Sequence, residues 1–163
     1  MFQSKGVNSM NQPGKGRPSL RYELAGSNPQ RIAHAPSQGE GPRILVVDDD
    51  PDMTRLIAAT LGAAGFACLA AYDALQGMVV AQREHPAVIL LDLHMPAGGG
   101  LSLLEKLRAS VKTATTPILM ITADHASDLP AKALALGATG FLYKPLDLAR
   151  LVEEIRPYLV PAA

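Results

Sequence analysis

From residue 43 onward the chain alternates short, wholly apolar runs with longer stretches in which apolar residues recur every three or four positions. The run Arg43-Ile-Leu-Val-Val-Asp48 is continuous and β-branched, the pattern of a strand covered on both faces in a parallel sheet. Similar runs at 67–71, 87–92, 117–122 and 140–143 predict four more strands. Helical patterns fill the gaps. Asp50 is placed to cap the first helix with Pro51 at its first position; Met53, Leu56, Ile57 and Leu61 share a face, and Gly65 ends it. Asp73 with Gln76 three residues later marks the start of the second, whose expected inner face is Leu75, Met78, Val79 and Gln82. The third follows Gly100, with Leu101, Leu104 and Leu107 inward. The fourth begins near Ser127 or Asp128, tolerates Pro130 in its first turn and stops at Gly137. The fifth begins at Asp147, buries Leu148, Leu151, Val152 and Ile155, and is ended or kinked by Pro157.

Five strand–helix units in about 120 residues predict an α/β fold, a five-stranded parallel doubly wound sheet with helices on both faces. There are too few units for an eight-stranded barrel. Residues 43–160 would form this domain. Residues 1–42 differ: they hold five of the thirteen prolines and six of the fourteen glycines, and no sustained period of 2 or 3.6. They are expected to be a flexible tail, too polar to offset the entropy of ordering it. Residues 161–163 are the C-terminal end.

The balance of 15 basic and 15 acidic residues gives zero net charge, which argues against a nucleic-acid coat or a polybasic membrane binder. The zero is a sum of unlike parts, since residues 1–42 carry +3 and residues 43–163 carry −3. A single cysteine, Cys68, allows no internal disulfide and favours a reducing compartment. No apolar run reaches the roughly 18 residues of a membrane span, and the N-terminus lacks a signal-peptide core. A cytoplasmic location and no membrane partner are expected.

In an open parallel sheet, ligands bind beyond the carboxyl ends of the strands. The first strand ends in Asp48, Asp49 and Asp50, the third in Asp92, the fourth in Thr122 and the fifth in Lys144 followed by Pro145. Carboxylates brought together repel and raise one another's pKa, so the site calls for a compensating cation. A hard divalent ion such as Mg²⁺ fits oxygen ligands of this kind, and Lys144 adds a fixed positive charge. One carboxylate would then be free to act as a nucleophile toward a phosphoryl group. Taken singly, each residue has a plainer role: Asp50 as a helix cap, Asp92 as a turn former, Thr122 as a β-branched strand residue, Lys144 as a solvated charge. It is their joint placement at strand ends that points to chemistry.

The motifs Ile44-Leu-Val-Val-Asp-Asp-Asp-Pro51, Ile89-Leu-Leu-Asp-Leu-His-Met-Pro96, Ile118-Leu-Met-Ile-Thr-Ala123 and Gly137-Ala-Thr-Gly-Phe-Leu-Tyr-Lys-Pro145 resemble those of the receiver domain of two-component response regulators. The resemblance covers residues 42–160 and implies the flavodoxin-like (βα)5 receiver fold. It implies that Asp92 is the phosphoacceptor, taking a phosphoryl group from a histidine of a sensor histidine kinase or histidine phosphotransfer protein. It implies Mg²⁺ (or Mn²⁺) held by Asp48, Asp49, Asp92 and the backbone carbonyl of His94. Thr122 and Lys144 would bind phosphoryl oxygens. Phe141 stands at the aromatic switch position and would turn inward when Thr122 moves. The Lys144–Pro145 bond is expected to be cis, aiming the lysine at the site. His94 and Asp124 occupy the positions that tune the rate of dephosphorylation in the family.

By the same resemblance, the face made by the fourth helix, fifth strand and fifth helix would change its preference for a downstream protein target, with homodimerisation on phosphorylation a further option. The resemblance implies self-phosphorylation and slow hydrolysis rather than turnover of a separate substrate, and direct DNA binding is not expected within this chain, which would act as a stand-alone receiver. The rivals are a phosphohydrolase with an aspartyl-phosphate intermediate and a phosphorylation-independent interaction module. The first wants Asp-x-Asp and a small hydroxyl residue at the first strand, which Asp48-Asp49-Asp50-Pro51 lacks; the complete acid, hydroxyl and lysine set speaks against the second. One departure from the family is the glycine run at 98–100, expected to loosen the entrance to the third helix. His34, His85 and His125 are too scattered for a metal set and are expected at the surface.

Overall fold

A computed structural model describes residues 41–159. The expected tail up to residue 40, and the terminal residues 160–163, lie outside the described residues. The strands are β1 (Arg43–Val47), β2 (Ala67–Ala71), β3 (Val88–Asp92), β4 (Ile118–Thr122) and β5 (Gly140–Tyr143). Each falls on a predicted run. They form one parallel sheet in the order β2-β1-β3-β4-β5, with Val47 paired to Leu91 and to Ala71. The order reverses at β1, so a crevice opens between β1 and β3 at their carboxyl ends.

Side chains alternate across the sheet and feed two cores. Leu45, Val47, Ile89, Leu91 and Met120 face α2 (Ala74–Glu84), α3 (Gly99–Ala109) and α4 (Leu129–Ala135). Ile44, Val46, Leu90, Ile121 and Leu142 face α1 (Pro51–Ala63) and α5 (Leu151–Ile155). Both faces are therefore covered, which is why the strands read as unbroken apolar runs.

The helix caps follow the sequence closely. The Asp50 carboxylate accepts from the N–H groups of Asp52 and Met53, and the Asp73 carboxylate from Gln76 N–H at 2.8 Å. Gln76 in turn accepts from Tyr72 N–H, one residue upstream of the cap. Gly65 and Gly137 take the left-handed conformation beyond the ends of α1 and α4.

The helices depart from expectation in four places, three in the face they bury and one in where they start. On α2 the buried residues are Gly77, Val80 and Ala81, while Leu75 is 76% exposed and Val79 42%. The cause is Gly77: a β-carbon there would lie 2.8 Å from Leu103 Cδ2 and 3.0 Å from Val47 Cγ1, so the helix presses its glycine line, not its leucine, onto the sheet. On α1 the inward residue beside Ile57 is Thr54, whose hydroxyl donates to Asp50 O, and Leu56 turns outward. On α3 Leu103 is fully buried and Leu101 only partly. The fifth helix starts at Leu151 rather than Asp147, because Asp147 first closes a turn, accepting from Ala149 N–H through its side chain and from Arg150 N–H through its carbonyl. Pro157 then tightens the end into a 3₁₀ turn, Arg156–Tyr158.

The glycine run is not simply a loose joint. Gly99 and Gly100 form the first turn of α3 and are buried. The left-handed residue of this segment is Ala97, at φ 58° and ψ 29°.

Candidate functional site

The carboxyl ends of β1, β3, β4 and β5 converge. Asp48 follows β1 directly and is fully buried; Asp92 is the last residue of β3 and nearly so. Asp49 beside them is exposed. Carboxylate oxygens of Asp48, Asp49 and Asp92 lie within 4.8 Å of one another. Lys144, just past β5, holds its Nζ 3.6 Å from both Asp48 Oδ2 and Asp92 Oδ1. The Lys144–Pro145 bond is cis, as expected.

Asp48 is the most constrained member. Its Oδ1 accepts from Asp50 N–H at 2.9 Å, while its buried Oδ2 has no hydrogen-bond partner. Burial pushes its carboxyl above the usual carboxylate range; the Asp50 N–H opposes this, and the charge of Asp92 adds to it against the pull of Lys144. An orphaned buried carboxylate oxygen, with two further carboxylates within reach, is a donor set suited to a hard divalent cation.

Asp92 Oδ1 accepts from His94 N–H at 3.2 Å. Thr122 is fully buried at the end of β4. Its hydroxyl accepts from Asp124 N–H at 3.0 Å and lies 3.3 Å from His94 Nε2. The Asp124 carboxylate closes a turn by accepting from Ala126 and Ser127 N–H, and hydrogen bonds with Ser127 hold its pKa down at about 2. Phe141 is partly buried against the β4 side of the core, and its ring centroid lies 6.2 Å from that of Tyr143. Tyr143 stacks on His125 at 4.5 Å. A cleft of about 390 Å³ beside β5 is lined by Phe141, Tyr143, Glu154 and Tyr158 among others.

Every residue singled out in the sequence as a ligand or phosphoryl contact thus reaches this one edge. Phe141 and Pro145 adjoin it on β5 and just beyond. Sequence reasoning missed the contact between His94 and Thr122, which are 28 positions apart and carry no pairing signal. It also missed Arg108 of α3, which donates to the carbonyls of Gly137, Thr113, Ala114 and Thr116 and to the Thr139 hydroxyl, tying together the loops that lead into β4 and β5.

The sheet order and this acidic edge define a class, doubly wound α/β domains with a polar site at the carboxyl ends of the strands. The family model described as "Response regulator receiver domain" matches residues 44–156, and the chain belongs to that family, the receiver domains of two-component response regulators. It is 34% identical over 118 residues to the "DNA-binding dual master transcriptional regulator RpaA" of Synechocystis sp., covering 72% of this chain and 49% of that protein. It is also 34% identical over 119 residues to the "Phosphate regulon transcriptional regulatory protein PhoB" of Pseudomonas aeruginosa, covering 73% and 52%. The chain spans about half the length of these curated relatives. Among solved structures it resembles chemotaxis response regulator CheY4 of Vibrio cholerae, with a TM-score of 0.69 and 29% identity over 73% of this chain and 99% of that one. Among the described residues no helix is long and apolar enough to cross a membrane.

Proposed function

We propose that Asp92 accepts the phosphoryl group from a phosphohistidine of a sensor histidine kinase or histidine phosphotransfer protein. A carboxylate oxygen attacks phosphorus, the P–N bond to the donor imidazole breaks, and an aspartyl phosphate is left. The observation that carries this reading is the buried pair Asp48 and Asp92 with Lys144 3.6 Å from each.

Asp48, Asp49, Asp92 and the His94 carbonyl would hold Mg²⁺ (or Mn²⁺), which when bound supplies positive charge against the carboxylates and the phosphoryl oxygens. Lys144 offers a charge-assisted contact to one phosphoryl oxygen and Thr122 a hydroxyl to another. Both contacts exist only after modification, so they favour the phosphorylated arrangement. Movement of Thr122 opens room for Phe141, and the face of α4, β5 and α5 changes its partner preference. His94 and Asp124, at the rim, set the rate at which water reaches the acyl phosphate.

The output is a protein contact, to a downstream target or to a second copy, in a cytoplasmic setting. The matched segment makes up only about half of the relatives named as transcriptional regulators, and DNA contact is not assigned to this chain. The test is incubation with Mg²⁺ and a small phosphodonor, read by intact mass. Wild type gains one phosphoryl group and Asp92→Asn gains none; equal labelling of both, or of neither, overturns the assignment.

A further inference from the structure

We infer that the His94 side chain is a latch on Thr122, holding its hydroxyl away from Asp92 until a phosphoryl group displaces it. This rests on the phosphoacceptor reading above and names a regulation built into that site.

Hydrogen-bond capacity is what makes the latch. A threonine hydroxyl has one proton to give and two lone pairs to receive. Thr122 is fully buried, and its oxygen already receives Asp124 N–H. That N–H is fixed in place, because the Asp124 carboxylate is turned back onto Ala126 and Ser127. The hydroxyl proton still needs an acceptor, since leaving a buried donor unmade is costly. Among the described residues, the polar atom at hydrogen-bond distance is His94 Nε2, at 3.3 Å, which takes the proton in the imidazole tautomer protonated on Nδ1.

A proton donated to His94 cannot also be donated to a phosphoryl oxygen on Asp92. The two bonds exclude one another, and each is single. The His94 backbone N–H donates to Asp92 Oδ1, which places the residue beside the phosphoacceptor, and its exposed ring reaches Thr122 from there. The latch therefore opposes activation by roughly the net worth of one hydrogen bond, which corresponds to about a three- to tenfold change in an equilibrium constant. His94 is a positioning residue here, acting on phosphoryl recognition through Thr122.

Beryllium trifluoride with Mg²⁺, a non-covalent phosphoryl mimic, measures this directly. The chain has no tryptophan, so binding is followed by amide NMR on the full chain. His94→Phe keeps a ring of similar size without an acceptor and should bind the mimic about three- to tenfold tighter than wild type. His94→Gln restores an acceptor at similar reach and should return the affinity toward wild type. In a Thr122→Ala background, His94→Phe should change nothing. Equal affinity of wild type and His94→Phe overturns the latch, as does a change of the same size in the Thr122→Ala background, which would mark simple crowding. If wild type fails to bind the mimic at all, the phosphoacceptor reading falls and the latch with it, so the two failures are told apart.

Discussion

Gly100 and Asp92 meet backbone to backbone: a β-carbon at Gly100 would fall 2.5 Å from the Asp92 carbonyl oxygen. The carbonyl oxygen and Cα of Leu93 would lie at 2.6 and 2.8 Å. The first turn of α3 thus seats directly on the strand end that carries the proposed phosphoacceptor. Backbone atoms cannot yield as a flexible side chain can.

Gly100→Ala should therefore destabilise the protein by about 2–3 kcal/mol and disturb Asp92 phosphorylation. Gly99→Ala is the control. Its β-carbon would meet Met95 and Ala74 side chains at 3.5–3.7 Å, ordinary contact on helical backbone, and should cost nothing or add up to about 1 kcal/mol. Urea unfolding of the two variants decides it; similar losses for both would refute the backbone argument.

Arg108 predicts the second effect. Its guanidinium serves four carbonyls at 2.7–3.2 Å, so Arg108→Ala leaves two partly buried and two exposed acceptors unmet. A loss of about 2–3 kcal/mol is expected. Arg108→Lys should recover little of it, because an ammonium cannot span the fork of partners. Denaturant midpoints test this, and near-full recovery by lysine would show that charge alone matters.

Asp48 predicts a pH and metal dependence. Burial raises its carboxyl in the folded state, so the ionised form works against folding. The deficit is full above the folded pKa and is relieved as pH falls toward the ordinary carboxylate range. In a chelator, the contribution of Asp48 should make the wild type gain stability as pH falls through its raised folded pKa toward the ordinary carboxylate range. Asp48→Asn should lack that gain and be the more stable of the two at neutral pH. With Mg²⁺ at a hundredfold excess over its Kd, wild type should gain about 2.7 kcal/mol, and the variant much less. Melting curves across pH, with and without Mg²⁺, read all of this; an Asp48→Asn protein that responds to Mg²⁺ as wild type does would remove Asp48 from the metal set.

Asp124 behaves oppositely. Hydrogen bonds from the Ser127 side chain and from the Ala126 and Ser127 N–H groups depress its pKa to about 2. Its support for the turn is full above the ordinary carboxylate pKa and is lost as pH falls through about 2. A carboxyl-carbon NMR titration should find that midpoint, and Ser127→Ala should move it upward. A midpoint near the ordinary value in wild type would mean that the turn does not form in solution.

The four strands β1 to β4 were legible because both of their faces are buried, so composition alone marks them; β5, with Tyr143 exposed at its end, is the weaker run. The strand-end residues were legible for a related reason: a polar group closing an apolar run faces the crevice beyond the sheet, and four strands repeating that arrangement seldom do so by chance. Helix faces were less legible. Leu75 and Val79 look inward by periodicity, yet Gly77 sets the rotation of α2 because it allows the closest approach to Val47 and Leu103. A sequence pattern weights large apolar residues and is blind to a missing side chain that decides a packing distance. The Arg108 hub and the His94–Thr122 contact were hidden because each joins separated segments through single polar atoms.

The sheet order has a consequence for the nascent chain. Asp48, Asp92, Thr122 and Lys144 close four different strands, and the lysine arrives on the last of them. A chain released before β5 would bring its carboxylates together with no ammonium among them. The strand that completes the sheet therefore also carries in the ammonium that faces Asp48 and Asp92, and it lowers the site's excess of negative charge without cancelling it.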